Sequence, residues 1–228
     1  MDYCKLKNDF ALIFDFDGTM CRLFKNYNLN NVVLSLRDKM KDHGIEFSTE
    51  NDAFDIFSEV IKQTDVGSAT REKALIDADQ ILTAAEIEAI NTGELVNGVE
   101  VVIPFLKKAG FSIGVATNNS VRCVEIFMQK NCPSTIIPIV GRVGVKPELM
   151  KPNAWSVLEV LKEMNHMPGN TIFVGDTQRD YYSAISAKCE FIGMAPTDSK
   201  RQRLLQVLPE CSIVSDFNEL LTLLRIVI

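Results

Sequence analysis

Short apolar runs of strand length alternate along this chain with stretches whose apolar residues recur every three or four positions. The strand candidates are residues 11–15, 112–116, 135–140, 171–175, 190–194 and 211–214. Helical spacing marks residues 100–108, 121–130, 154–164, 179–187 and 200–208, and 216–224 follows the last strand. A strand that is apolar throughout, followed by an amphipathic helix, is the unit of a parallel sheet covered on both faces. The pattern therefore predicts an α/β chain with a Rossmann-like parallel sheet flanked by helices. Such sheets bind ligands outside the carboxyl ends of their strands.

One segment breaks the alternation. From about Phe24 to Asn91 no strand pattern occurs. Leu29, Val32, Val33, Leu36 and Met40 recur at helical spacing, as do Phe54, Phe57, Val60 and Ile61. Ile76, Leu82, Ile87 and Ile90 suggest a third helical stretch, interrupted by polar residues. Ser48, Thr49 and Asn51 read as helix-start residues before the second run. Gly93 and Gly98 mark the return to the alternating pattern. The expected organisation is a core of residues 1–22 and 94–228 with a helical cap of residues 23–93. A cap tethered at two points beside a strand end predicts a lid.

With 46% hydrophobic residues in 228, the chain can bury a sizeable core. A net charge of −6 gives no reason to expect a nucleic-acid or membrane partner. Six cysteines are scattered without a Cys-x-x-Cys pair, which argues against a zinc site and points to free thiols in a reducing, cytoplasmic setting. No signal peptide precedes the first strand, and no apolar run is long enough to span a bilayer. The apolar C-terminus from Leu220 onward reads as a docked helix or strand.

The chemistry concentrates where strands end. Residues two apart on a strand face the same way, so Asp15 and Asp17 share one side if the extended backbone continues, and Gly18 then releases the chain into a turn. Asp and Gly are common in turns for conformational reasons alone. Two adjacent carboxylates repel, however, and make sense around a divalent cation or as a nucleophile and an acid/base. Strand 112–116 ends in Thr117-Asn118-Asn119-Ser120, where a hydroxyl and free N–H groups can meet an anion, or simply cap a helix. Strand 171–175 ends in Asp176, with Asp180 one turn on, either sharing its face or favoured by the helix dipole. Three acids at two strand ends suit magnesium, with a substrate phosphate completing its oxygen shell. Lys146-Pro147 and Lys151-Pro152 lie between, and a lysine there would offset the carboxylates.

Together these segments resemble the four motifs of the haloacid dehalogenase superfamily of phosphatases. The similar branch carries a helical cap after the first motif, as in phosphoglycolate phosphatase and β-phosphoglucomutase-like proteins. Asp15-x-Asp17-Gly18-Thr19 resembles motif one, Thr117-Asn118 motif two, Lys151-Pro152-Asn153 motif three and Gly175-Asp176-x-x-x-Asp180 motif four. The resemblance implies that Asp15 attacks phosphorus and that Asp17 protonates the leaving oxygen and then activates water. It implies Mg2+ on Asp15, the Asp17 backbone carbonyl and Asp176, with Asp180 as a ligand or a support. Gly18, Thr19, Thr117, Asn118 and Lys151 would hold the phosphoryl group of a small phosphorylated metabolite. Lys151 fits the motif by leading into the helix before Asp176; Lys146 stays in view as a phosphate or leaving-group contact.

One departure concerns Arg22. Relatives commonly have an apolar, then an acidic residue and a serine near this position, whereas this chain reads Met20-Cys21-Arg22. Arg22 either faces the mouth of the site and favours a second anionic group on the substrate, or pairs with a cap carboxylate. Asp17 disfavours a dehalogenase, which replaces that residue. A sugar-phosphate mutase would use the same core residues, and a phosphonate hydrolase would need a cap lysine that the sequence does not single out. A non-catalytic binding module would have lost at least one motif residue, and none is lost.

Overall fold

The computed structural model describes residues 10–47 and 53–226. Six strands form one sheet in the order β5-β4-β1-β6-β7-β8, every pair parallel. They are β1 Ala11–Phe14, β4 Ser112–Ala116, β5 Ile139–Val140, β6 Thr171–Gly175, β7 Glu190–Met194 and β8 Ile213–Val214. Helices α4 Val99–Lys108, α5 Val121–Asn131, α6 Trp155–Met164, α7 Gln178–Ser186, α8 Asp198–Leu204 and α9 Phe217–Leu223 connect and cover them. The fold expected from the alternation is thus present.

Strand β1 is central and buried at every residue. Leu12 and Phe14 point into a cluster with α4, α5 and α9, while Ala11 and Ile13 point into a second cluster with α6 and α7. Two-sided burial is why β1 reads as a continuous apolar run rather than an alternating one. The chain order leaves β1 in two directions, to β4 and β5 on one side and to β6, β7 and β8 on the other. Adjacent crossovers therefore diverge at the ends of β1, β4 and β6, and open the crevice where such sheets take ligands.

Three α-helices lie between Arg22 and Glu94: α1 Leu29–Asp42, α2 Ile56–Lys62 and α3 Ser68–Ala89. They enclose their own apolar cluster, including Val32, Leu36, Met40, Phe57, Val60 and Leu82. The third stretch is one unbroken 22-residue helix, not an interrupted one. Its inner face is built from Ala74, Leu75, Ala78, Leu82, Ala85 and Ala89, whereas Ile76 is exposed. Alanines let α1 and α2 approach closely, and they carry little weight in a pattern read from large side chains. The residues expected to start α2, Ser48, Thr49 and Asn51, lie outside the described residues.

Three strand and helix boundaries differ from expectation. Only Ile139–Val140 of 135–140 joins the sheet, because Pro138 has no N–H to donate and Thr135 turns back on Cys132. Only Ile213–Val214 of 211–214 is strand; a 3-10 turn at Glu210–Ser212 precedes it. Helix α8 starts early, where the Thr197 hydroxyl accepts from the Lys200 N–H, and ends at Leu204. A short antiparallel pair was not expected: β2 Cys21–Arg22 with β3 Glu94–Leu95 joins the two ends of the helical insert. Both strands lie on the core side of the expected boundary with the cap, directly at it.

Phe14 is fully buried with its ring 5.5 Å from that of Phe217. Phe14→Ala should cost about 3–5 kcal/mol and lower the urea midpoint. A wild-type midpoint would mean that β1 and α9 do not share one cooperative core.

Candidate active site

Strand β1 ends where its neighbours end, so Asp15, Thr117 and Asp176 emerge at one edge of the sheet. The Asp15 N–H still donates to Val174 O at 2.8 Å, and then the chain turns. The Phe16 carbonyl collects the N–H groups of Thr19, Met20 and Cys21, and Gly18 takes φ +94°. A Cβ at Gly18 would run into the Asp176 carboxylate and the Lys200 ammonium, so only glycine fits this turn. Phe16 turns inward against Phe127, while Asp15 and Asp17 line one small cavity of about 110 Å³. Thr117, Asn118, Lys151, Asp176 and Asp180 line it too.

Lys151 is the buried cation that lines it. Its Nζ lies 2.5 Å from Asp15 Oδ1, 2.5 Å from Asp180 Oδ1 and 3.1 Å from Ala116 O. Burial works against the ammonium, but the two carboxylates more than offset this and raise its pKa above the usual lysine value. Asn118 fixes the backbone that presents it: its Oδ1 accepts from the Lys151 N–H at 2.8 Å, and its Nδ2 donates to Lys151 O at 3.2 Å. The side-chain amide of Asn118 is therefore engaged with protein, and its backbone N–H is the group left to meet an anion. Lys146 is exposed and stands away from the cavity, ahead of the turn Pro147–Leu149.

Asp180 completes a capping box at the start of α7, its Oδ2 accepting from the Thr177 N–H at 2.9 Å and from the Thr177 hydroxyl at 2.5 Å. Both Asp180 oxygens are thus occupied. Asp176 differs: its Oδ2 pairs with Lys200, but its Oδ1 is buried and without a hydrogen bond. An orphaned buried carboxylate oxygen is costly unless a cation completes it. Asp15, Asp176 and Asp180 each offer an oxygen within 4.8 Å of the others, so these residues could hold a metal ion. The Asp17 carbonyl accepts no hydrogen bond among the described residues. The donor set is all oxygen and suits a hard divalent cation.

Asp17 accepts from the Leu23 N–H at 2.8 Å, and desolvation pushes its pKa up to about 7. Burial raises Asp15 as well, against the pull of Lys151. The Thr117 hydroxyl donates to Asn119 Oδ1 at 3.0 Å and accepts from the Asn119 N–H at 3.2 Å. Thr19 is fully buried with an unpaired hydroxyl and lines neither this cavity nor its neighbours, so the structure does not bring it to the site. Arg22 lines an adjoining cavity of about 250 Å³ with Asp17, Gly18 and Lys200, and its guanidinium lies 3.5 Å from Glu94. Its carboxylate partner is on the return strand rather than on the insert helices.

Sequence reading missed Lys200, Arg179 and Phe54. Lys200 reaches the site from the segment after β7, the next strand end along the same edge. Arg179 lies inside the segment Asp176–Asp180 and pairs with Asp55 of the insert at 2.8 Å. Phe54 lines the small cavity and also a larger one of about 560 Å³ that continues from it past Asn118, Lys151 and Arg179.

The model of the haloacid dehalogenase-like hydrolases matches residues 12–194, from β1 to the end of β7. The chain belongs to this family. The match includes the segments of Asp15, Thr117, Lys151 and Asp176 that meet here. The chain is 25% identical over 186 residues to an uncharacterised hydrolase of Saccharomyces cerevisiae, covering 81% of this chain and 76% of the relative. Its fold is similar to that of a predicted phosphatase from Clostridium acetobutylicum, with a TM-score of 0.67, 17% identity, and 93% and 96% of the two chains covered. A predicted phosphoglycolate phosphatase from Haemophilus somnus gives 0.63 at 21% identity, with 94% and 97% covered. Among the described residues, no helix of this hydrolase is long and apolar enough to cross a membrane.

The raised pKa of Asp17 has a consequence for stability. Folded Asp17 keeps its proton to about pH 7, whereas the unfolded residue loses it near the ordinary value of 3.8. Stability should therefore fall as pH rises between these values, since the folded state binds the proton more tightly. Without added metal, Asp17→Asn should melt higher than wild type above pH 7. That gain should shrink as pH falls and vanish near pH 4. A gain independent of pH would contradict a desolvated carboxylate.

Proposed function

We propose that this hydrolase is a Mg2+-dependent phosphatase that acts on small phosphate monoesters through an aspartyl-phosphate on Asp15. The observation that carries the reading is the shared cavity of Asp15 and Asp17 with a buried ammonium at its side. Asp15 is the nucleophile, aligned by Lys151. Lys151, the Asn118 N–H and the Thr117 segment receive the phosphoryl oxygens. Asp17, with a pKa about 7, gives its proton to the leaving oxygen and takes one back from the water that attacks the acyl phosphate. The P–O bond to the leaving group breaks as the bond to Asp15 forms; water then cleaves it and restores the carboxylate.

Asp15, the Asp17 carbonyl and the free oxygen of Asp176 would hold the magnesium, with Asp180 supporting Lys151 and the α7 start. When bound, the ion supplies charge neutralisation of the phosphoryl oxygens. The adjoining space of about 560 Å³, bounded by the insert, suits the leaving group of a small metabolite rather than a polymer. The small phosphorylated substrate and a cytoplasmic setting remain part of this proposal, supported by the size of the adjoining cavity and by four buried free cysteines.

Purified protein should hydrolyse p-nitrophenyl phosphate with Mg2+, stop on chelation and recover on readdition. Asp15→Asn should lower kcat by at least about a thousandfold. Lys151→Met should do comparable damage and Lys146→Met almost none. Retained turnover in a folded Asp15→Asn protein would refute the nucleophile, and equal losses at both lysines would refute the role of Lys151.

A further inference from the structure

Arg142 enters from the loop after β5 and its side chain is completely buried, as is that of Glu86 on α3. One guanidinium collects three residues of the insert helix. Its Nε lies 2.6 Å from Asp79 Oδ1, its Nη1 2.7 Å from Glu86 Oε1, and its Nη2 3.1 Å from Thr83 Oγ1. Its plane is flanked by the rings of Phe57 at 5.3 Å and Phe54 at 5.7 Å.

The remaining bonds all go to the loop that follows β4. Arg142 Nη1 donates to Asn118 O at 2.9 Å, and the Arg142 N–H donates to Asn119 O at 2.9 Å. Glu86 Oε1 accepts from Asn119 Nδ2 at 3.2 Å, and its Oε2 accepts from the Ser120 N–H at 2.9 Å. Asn119 in turn holds the Thr117 hydroxyl, and Asn118 holds the Lys151 backbone. A pair needed only to bury charge would not have to bond three consecutive residues of this loop. The planar fork of arginine makes such an array, and a lysine cannot.

We infer that Arg142 and Glu86 are positioning residues, which fix the loop of Thr117, Asn118 and Ser120 by clamping it to insert helix α3. This rests on the proposed phosphoryl-transfer role of that loop. The clamp also selects how the insert can move. A rigid swing of all three helices would carry the buried Arg142–Glu86 pair into water or tear it apart, and such pairs resist separation. The contact on the other side, Arg179–Asp55, is partly solvent-exposed and breaks easily. Opening therefore takes place at the α2 edge, above Arg179, while the C-terminal half of α3 stays with the core.

The test compares wild type, Arg142→Lys and Thr83→Val, each checked for cooperative unfolding. Kinetics with p-nitrophenyl phosphate and Mg2+ are read beside amide hydrogen exchange of residues 78–89 and 117–124. Arg142→Lys should lower kcat at least about tenfold while KM stays within about threefold, the signature of lost alignment. Exchange should accelerate in both segments together. In wild type, 78–89 should exchange as slowly as β1 and more slowly than 56–62. Wild-type kcat in folded Arg142→Lys would overturn the inference, and so would lost kcat with unchanged exchange. If Arg142→Lys does not fold, Thr83→Val decides: faster exchange in both segments supports the clamp, and a change confined to the insert overturns it. Exchange needs no turnover, so an inactive wild type would refute the phosphatase reading while leaving the clamp to its own result.

Discussion

The arrangement depends on one ammonium. Lys151 sits between Asp15 and Asp180 in a place with almost no solvent, and among the described residues neither carboxylate makes an ion pair with another cation. Removing one partner of a buried ion pair typically costs about 3–5 kcal/mol, because the other charge is left uncompensated. Here one cation serves two carboxylates, so the penalty for losing it falls on both. That requirement explains why so much nearby structure serves Lys151: the Ala116 carbonyl, the Asn118 amide and the face of Phe173 at 5.4 Å.

The same balance explains why the acids are distinct in character. Asp15 has Lys151, Asp180 has Lys151 and Thr177, and Asp176 has Lys200 on one oxygen and nothing on the other. Asp17 accepts from a backbone N–H, and burial raises its pKa to about 7 against the pull of that bond and of Lys200. Asp15, beside an ammonium, and Asp17, without an ion pair among the described residues, thus meet different surroundings, which is the condition for dividing nucleophilic and acid/base work. The unfilled oxygen of Asp176 is the place where the protein alone leaves the charge balance incomplete.

Much of this was legible before the fold was seen. Asp15 and Asp176 announce themselves because each interrupts a fully apolar strand, and a parallel sheet brings such ends together. Lys151 was separable from Lys146 only by resemblance to the family motif; burial of one and exposure of the other agree with that choice. Arg142, Lys200 and Arg179 were not legible. Each sits in a polar loop or at a helix start, where periodicity carries no signal, and each meets partners far away in the chain. The insert helices were visible from large apolar residues, but the alanine face of α3 and the β2–β3 pair were not, since two-residue strands and small side chains leave almost no pattern.

The central claim is that Asp15 carries the phosphoryl group. Rapid acid quench during turnover of a phosphate monoester with Mg2+, followed by intact-mass and peptide analysis, measures this directly. The account predicts a phosphoryl adduct that maps to the peptide of Asp15, forms at the rate of the burst and disappears on chase. An adduct mapping to any other residue, or turnover whose quenched samples never carry one even when hydrolysis is slowed by Asp17→Asn, would contradict it.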